Sequence, residues 1–158
     1  MSRLIGKTLT EEIRQRLSGA TMAHLEGKII PIFSVDETGW PHPALLSYYE
    51  MVACDSSTID MALWRDSSTA KNLRRDGKIT LMITDKDINF YIKGTAEELQ
   101  YELAGAPQVS RFRVTVEELL EDQEPNAQIT SGLTYVRQRQ RDANDFAAKV
   151  LRILREGL

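Results

Sequence analysis

The chain has 158 residues, a formal net charge of −3 and a single cysteine, Cys54. A domain of this size buries roughly 70% of the surface its unfolded chain exposes, so a core is expected without disulfides, and Cys54 has no second cysteine to pair with. The acidic balance gives no electrostatic reason to expect nucleic acid, which is held by an excess of clustered Lys and Arg, and no run is apolar enough for a signal peptide or a membrane span, so a soluble, cytoplasmic protein is expected.

Thr8-Leu9-Thr10-Glu11 has the spacing of a capping box, with Thr8 as the cap and Glu11 reaching back, and Ile13 and Leu17 follow on one face of a short helix ending near Gly19. From Lys28 the pattern turns β-like. KIIPIFSV (28–35), the turn DETGWPHP and ALLSYYEMVAC (44–54) read as a hairpin, with Pro31 placing its first strand at an edge or interrupting it. TIDMALW (58–64) alternates, with Ile59, Met61 and Leu63 on one face. The next stretch, RDSSTAKNLRRDGK (65–78), predicts a helix capped by Ser67 or Ser68, running to about Asp76 and ended by Gly77 in the left-handed region. KITLMIT (78–84) and INFYIKGTAEEL (88–99) turn about Asp85-Lys86-Asp87 and direct Ile79, Leu81, Ile83, Ile88, Phe90 and Ile92 inward. In RFRVTVEEL (111–119), Phe112, Val114 and Val116 point inward and Arg111, Arg113 and Thr115 outward. Residues 121–134 predict a loop. A closing amphipathic helix, about 136–156, follows from the stripe Ala143, Phe146, Ala147, Val150, Leu151 and Leu154.

No repeat or linker divides the chain, so a single domain, 1–158, with a barrel core over about 22–120 is expected. Closure removes exposed sheet edges. The predicted fold is mainly β, a six-stranded antiparallel barrel with N-terminal, mid-chain and C-terminal helices at its periphery. Arg74-Arg75 and the basic run from Arg137 to Arg141 read as solvated helix faces.

Catalytic motifs are absent. His24 and His42 lie in neither a HExxH nor a CxxC context, so no metal site is expected, and no GxSxG, P-loop or GxGxxG occurs. Asp55, Asp60, Asp66 and Asp76 read as turn and helix-end residues, and none is assigned as an acid or base. Ser67-Ser68-Thr69 remains. A helix start exposes unpaired N–H groups and the positive end of the macrodipole, so hydroxyls there can complete a phosphate cradle, although a plain N-cap is the commoner use of such serines. Ser47, Tyr48 and Tyr49 on a neighbouring strand, with Trp64 just before the helix, supply aromatic walls that suit a planar, nucleotide-like ligand.

KIIPIFSVDETGWPHPALLSYYEM, then TIDMALWRDSSTAKNLRRDGKITLMI, then NFYIKGTAEEL closely resemble the pyridoxamine 5′-phosphate oxidase-like family of FMN-binding split barrels, with a general stress protein-like branch as the nearest pattern. The resemblance covers about residues 22–100 well. It implies FMN across a homodimer interface, with Ser67, Thr69 and Asn72 near the phosphate and Ser47 and Tyr48 nearer the ring. Many relatives carry Arg or Lys where this chain has Ser68, so Lys71, Arg65 or Arg75 would supply the missing cation, Lys71 first. The family's late Arg-x-His substrate segment is missing, since no histidine follows His42. The resemblance therefore implies no turnover of pyridoxamine phosphate. Hydride transfer to a flavin needs no protein acid or base, so an FMN-dependent oxidoreductase with a small-molecule electron donor or acceptor is expected and no catalytic residue is assigned. A non-catalytic flavin-binding or stress-response protein, or a relative holding haem or a deazaflavin, is the alternative.

Overall fold

Period-two alternation turns every second side chain of each strand to one side, and in this chain those sides close around a common interior. The computed structural model describes all 158 residues and arranges eight strands in one curled antiparallel sheet. They are β1 (Ser2–Gly6), β2 (Ile29–Val35), β3 (Pro41–Ser47), β4 (Met51–Ala53), β5 (Thr58–Trp64), β6 (Lys78–Asp85), β7 (Ile88–Gln100) and β8 (Val109–Asp122), in the order β3-β2-β6-β7-β8-β5-β4, with β1 on the far end of β8. Ile30, Ile32, Ile59, Leu81, Ile92 and Phe112 fill the interior with no exposure. Three helices flank the sheet: α1 (Glu11–Arg16), α2 (Ser68–Arg75) and α3 (Phe146–Glu156). The mainly β split barrel with peripheral helices is thus as predicted, with two more strands than expected.

One extra strand comes from dividing the predicted strand 44–54. Ser47 Oγ accepts from the Tyr49 N–H, and the Glu50 carboxylate accepts from the Ser47 N–H at 2.6 Å, so Tyr48–Glu50 coil into a 3₁₀ turn between β3 and β4. This reciprocal cap satisfies the backbone locally and ends the ladder. The other is β1, whose mostly exposed SRLIG carries no alternation and forms only because β8 extends to Asp122, opposite Ser2.

Pro31 sits inside the sheet, not at its outer edge. β2 pairs with β3 along its length but with β6 only over Ile32–Ser34, and before Pro31 the Ile29 N–H donates instead to the Leu133 carbonyl at 3.0 Å. The missing proline N–H therefore falls where β6 leaves β2 and residues 133 and 134 of the predicted loop take over.

Helix ends differ from expectation in two places. Thr10, not Thr8, caps α1, its hydroxyl accepting from the Ile13 N–H, because the Leu9 N–H is drawn to the Ser56 carbonyl at 2.7 Å. The last helix begins at Phe146, not near 136. Asp142 and Asp145 spend their carboxylates on the Asn144 and Ala148 N–H groups, and such local bonds compete with helix until Asp145 becomes the cap. Arg137 and Arg141 consequently lie on an irregular segment and both pair with Asp145. Arg74 is exposed, as predicted, and on that face its fork holds Glu98 and donates to the Arg65 carbonyl.

Outside the barrel, Val150, Leu151 and Leu154 of α3 pack on Val52, Ala62 and Val109. Beside this second core lies Asp60, which is fully buried in mid-strand and not at a turn. Arg111 and Arg113, off the barrel's inner face as predicted, turn onto it: Arg111 Nε donates to Oδ2 at 2.8 Å and Arg113 Nε to Oδ1 at 2.7 Å. Arg111 also donates to the Leu154 carbonyl in the last turn of α3, tying helix to sheet. Burial alone would raise the Asp60 carboxyl, but the hydrogen bonds from Arg113 and Arg111 outweigh it and hold the group below the usual range. Asp60→Asn leaves two guanidinium groups uncompensated and is expected to cost about 3 kcal/mol, read as a lower denaturant midpoint with loss of α3 first; an unchanged midpoint would show the arginines to be satisfied by water.

Candidate functional site

β5 delivers the chain to α2 through a tight turn in which the Ser67 N–H donates to the Trp64 carbonyl. Ser67 has extended dihedrals, φ −69° and ψ 155°, and its hydroxyl accepts from the Ala70 N–H at 3.1 Å. It is the cap, and the N–H groups of Ser68 and Thr69 behind it have no helical carbonyl to meet. Gly77, at φ 77°, ends the helix as predicted.

The helix buries Thr69, Ala70, Asn72 and Leu73. Asn72 fastens it to β2, since its Nδ2 donates to Ser34 Oγ at 2.9 Å and its Oδ1 accepts from Arg75. Ser68, Lys71 and Arg75, at the i, i+3, i+7 positions of one face, border a cleft of about 230 Å³. Lys71 is exposed, and Arg75 also donates to the Val35 carbonyl. Across the cleft stand Asp36 and Glu37 from the β2–β3 turn and His42 from the start of β3. The Thr38 hydroxyl, then the Trp40 and Thr38 N–H groups, hold the Asp36 carboxyl below its usual range, so it stays charged at neutral pH. On the helix side the groups are hydroxyl, ammonium, guanidinium and free N–H, a donor set that fits a phosphate. The two carboxylates opposite temper its charge.

The predicted residues are therefore only partly gathered. Ser67, Ser68, Thr69, Lys71 and Asn72 meet at one end of the β2–β3 hairpin, with Ser67 and Asn72 already holding structural bonds. Arg65 turns away to Glu102, at 2.5 Å, and the Pro107 carbonyl. Ser47 lies at the hairpin's other end: it pairs with Ile29 while His42 pairs with Ser34, five residues or roughly 17 Å along the strand. Tyr48 is in the 3₁₀ turn, not on a strand, and is 3% exposed. Asp36, Glu37 and His42 were not anticipated, because only the hairpin register brings them opposite α2. On the edge strand β3, Leu45 is 58% exposed, as is Trp40 just before it at 70%.

The Tyr48 hydroxyl accepts from Arg16 Nε at 2.8 Å, and Arg16 continues to Asp85, whose same oxygen accepts from Lys28 Nζ at 2.5 Å. Burial works against the Asp85 carboxylate, but bonds from Lys28, the Lys86 N–H and Arg16 prevail and lower it to about 2. Its folded value lies below the unfolded one of about 3.9, so its contribution is complete above pH 4 and disappears as pH falls toward 2. Asp85→Asn is accordingly expected to be less stable than the parent at pH 6, with the gap in urea midpoint closing between about pH 4 and pH 2.

No protein-family model matches the chain. An uncharacterised protein of Bacillus subtilis (strain 168), YclD, is 26% identical over 125 residues, 79% of this chain and 81% of the relative. Among solved structures, a candidate pyridoxamine 5′-phosphate oxidase from Lactobacillus delbrueckii superposes with a TM-score of 0.60 at 20% identity, over 75% of this chain and 98% of that one. HupZ of Group A Streptococcus gives 0.55 at 19%, over 81% and 100%, and an FMN-binding protein of Syntrophomonas wolfei gives 0.51 at 17%, over 72% and 91%. The fold is that of the pyridoxamine 5′-phosphate oxidase-like proteins, as the sequence resemblance implies. No helix is long and apolar enough to cross a membrane.

Proposed function

We propose that the chain binds FMN between two copies of itself and acts as an FMN-dependent oxidoreductase on a small molecule, without turning over pyridoxamine phosphate. The observation that carries the reading is the donor face Ser68–Lys71–Arg75 at one end of the β2–β3 hairpin with Ser47 at the other. The strand that joins them, from His42 at the cleft to Ser47, runs roughly 17 Å, and a ligand with a phosphate at one end and a flat ring at the other could lie along it.

In this reading Lys71 and Arg75 supply the charge that a basic residue at position 68 would otherwise give, Ser68 and the buried Thr69 offer hydroxyls, and Asn72 holds the helix against β2 so that the donors stay in place. Ser67 keeps the helix start formed. Ser47 ends the strand along which the ring lies, while Tyr48 braces that end from the core. A second copy covers Leu45 on the edge strand and Trp40 just before it, removing apolar surface and open backbone groups from water together. When bound, the flavin supplies a hydride acceptor at N5; the protein orients it and its reaction partner.

FMN and riboflavin titrations test this. Thr69→Ala is expected to weaken FMN by about 1.5 to 3 kcal/mol and Lys71→Ala to weaken it further in low salt, with riboflavin unaffected by either, while Ser67→Ala lowers the stability of the unliganded protein by roughly 1 kcal/mol. Equal affinity of the parent for riboflavin and FMN would remove the phosphate site. Flavin that binds but is not reduced by NADH or NADPH would leave a binding protein and no oxidoreductase, and a monomer by light scattering with FMN bound would remove the shared interface.

A further inference from the structure

Nearly every shielded carboxylate of this chain has a cation in contact. Asp60 has Arg111 and Arg113, Asp85 has Arg16 and Lys28, Asp145 has Arg137 and Arg141, and Glu98 has Arg74. Glu50 does not. Its Oε2 accepts from the Ser47 N–H at 2.6 Å and the Ser47 hydroxyl at 3.0 Å, and its Oε1 accepts from no group of the chain. The nearby guanidinium, Arg141, commits its N–H groups to Glu26, Asp145 and the Tyr135 hydroxyl.

The unmatched carboxylate faces an unusual wall. Glu50 is the one polar residue of a cavity of about 70 Å³ between β5 and the start of α3, whose other lining residues include Ala62, Trp64, Val109, Phe146 and Ala147. That is roughly five times the space a single water needs. No fully buried side-chain oxygen in the chain lacks a partner, so Oε1 is not wholly sealed from water. At the rim the Trp64 ring, 58% exposed, stacks on Phe146 with centroids 5.7 Å apart. A half-buried anion in an apolar cavity is costly unless a counter-charge joins it, and an indole face beside it adds attraction for a cation.

We propose that this cavity binds a small alkylammonium ion, with the ammonium group on Glu50, the alkyl chain among Ala62, Val109 and Ala147, and Trp64 over the entrance. The site is separate from the α2 cleft and does not depend on flavin. Burial pushes the Glu50 carboxyl upward, against the bonds from Ser47 and the more distant charge of Arg141.

The indole N–H signals in a proton–nitrogen NMR spectrum of the full chain test it, with Trp40→Phe identifying the Trp64 signal, since the chain has two tryptophans. Isobutylammonium chloride is expected to shift the Trp64 signal saturably, while isobutanol and sodium chloride at the same concentrations do not. Glu50→Gln retains an acceptor for the Ser47 N–H and is expected to weaken the ion at least tenfold. Ala147→Leu fills the cavity without touching the cap and is expected to abolish the saturable shift, which decides the matter even if Glu50→Gln fails to fold. A non-saturating shift, an equal response to isobutanol, or unchanged affinity in Ala147→Leu would overturn the proposal.

Discussion

The reciprocal bonds between Ser47 and Glu50 decide how the sheet ends meet. The hydrogen-bonded order starts at β3 and finishes at β4, and these two edges are consecutive in the chain, joined by the three residues of the 3₁₀ turn. The barrel is therefore closed by a capped turn where a ladder would otherwise run. Such a cap contributes only about 1 kcal/mol. Its leverage is geometric: it rotates the strand direction so that Met51 can pair at once with Met61, sends Tyr48 into the core, and turns Tyr49 to the outer face, where the Arg141 guanidinium lies 3.6 Å above its ring.

Around that closure, charged pairs set how peripheral segments sit. The Arg16–Asp85–Lys28 group joins α1, β6 and the approach to β2; Glu26 and Asp145 hold the irregular segment through Arg141; Asp60 holds α3 through Arg111. No buried side-chain polar atom lacks a partner. Replacing any of these groups with apolar residues of like volume is often neutral for stability, so their value lies in choosing one arrangement of helices and loops over the sheet.

Much of this architecture is readable locally. β5 through β8 and α2 follow from alternation, turn residues and a serine cap followed by Gly77, because each signal acts within a few residues of its cause. Misread elements were settled by partners far along the chain or by competing side chains. Thr10 caps α1 because Ser56 takes the Leu9 N–H, and β1 exists because β8 is long enough to meet it. The Ser47-x-x-Glu50 spacing is a capping signal, but inside an apolar run the local pattern reads as strand. At the candidate site the helix start was legible for the same local reason as its cap. The acids and histidine facing it were not, since hairpin register is a non-local property.

The early strands draw several of their neighbours from late in the sequence. Ser2 faces Asp122, the Ile29 N–H meets the Leu133 carbonyl, and the Gly27 carbonyl accepts from the Tyr135 N–H. A chain emerging from the ribosome must therefore carry β1 and the start of β2 with open backbone groups until most of its length has been made. Loop-closure entropy for such distant contacts grows only slowly with length, so the delay costs time more than stability. During that interval the half-finished sheet presents an unpaired strand edge, the surface on which edge-to-edge association between partly folded chains begins.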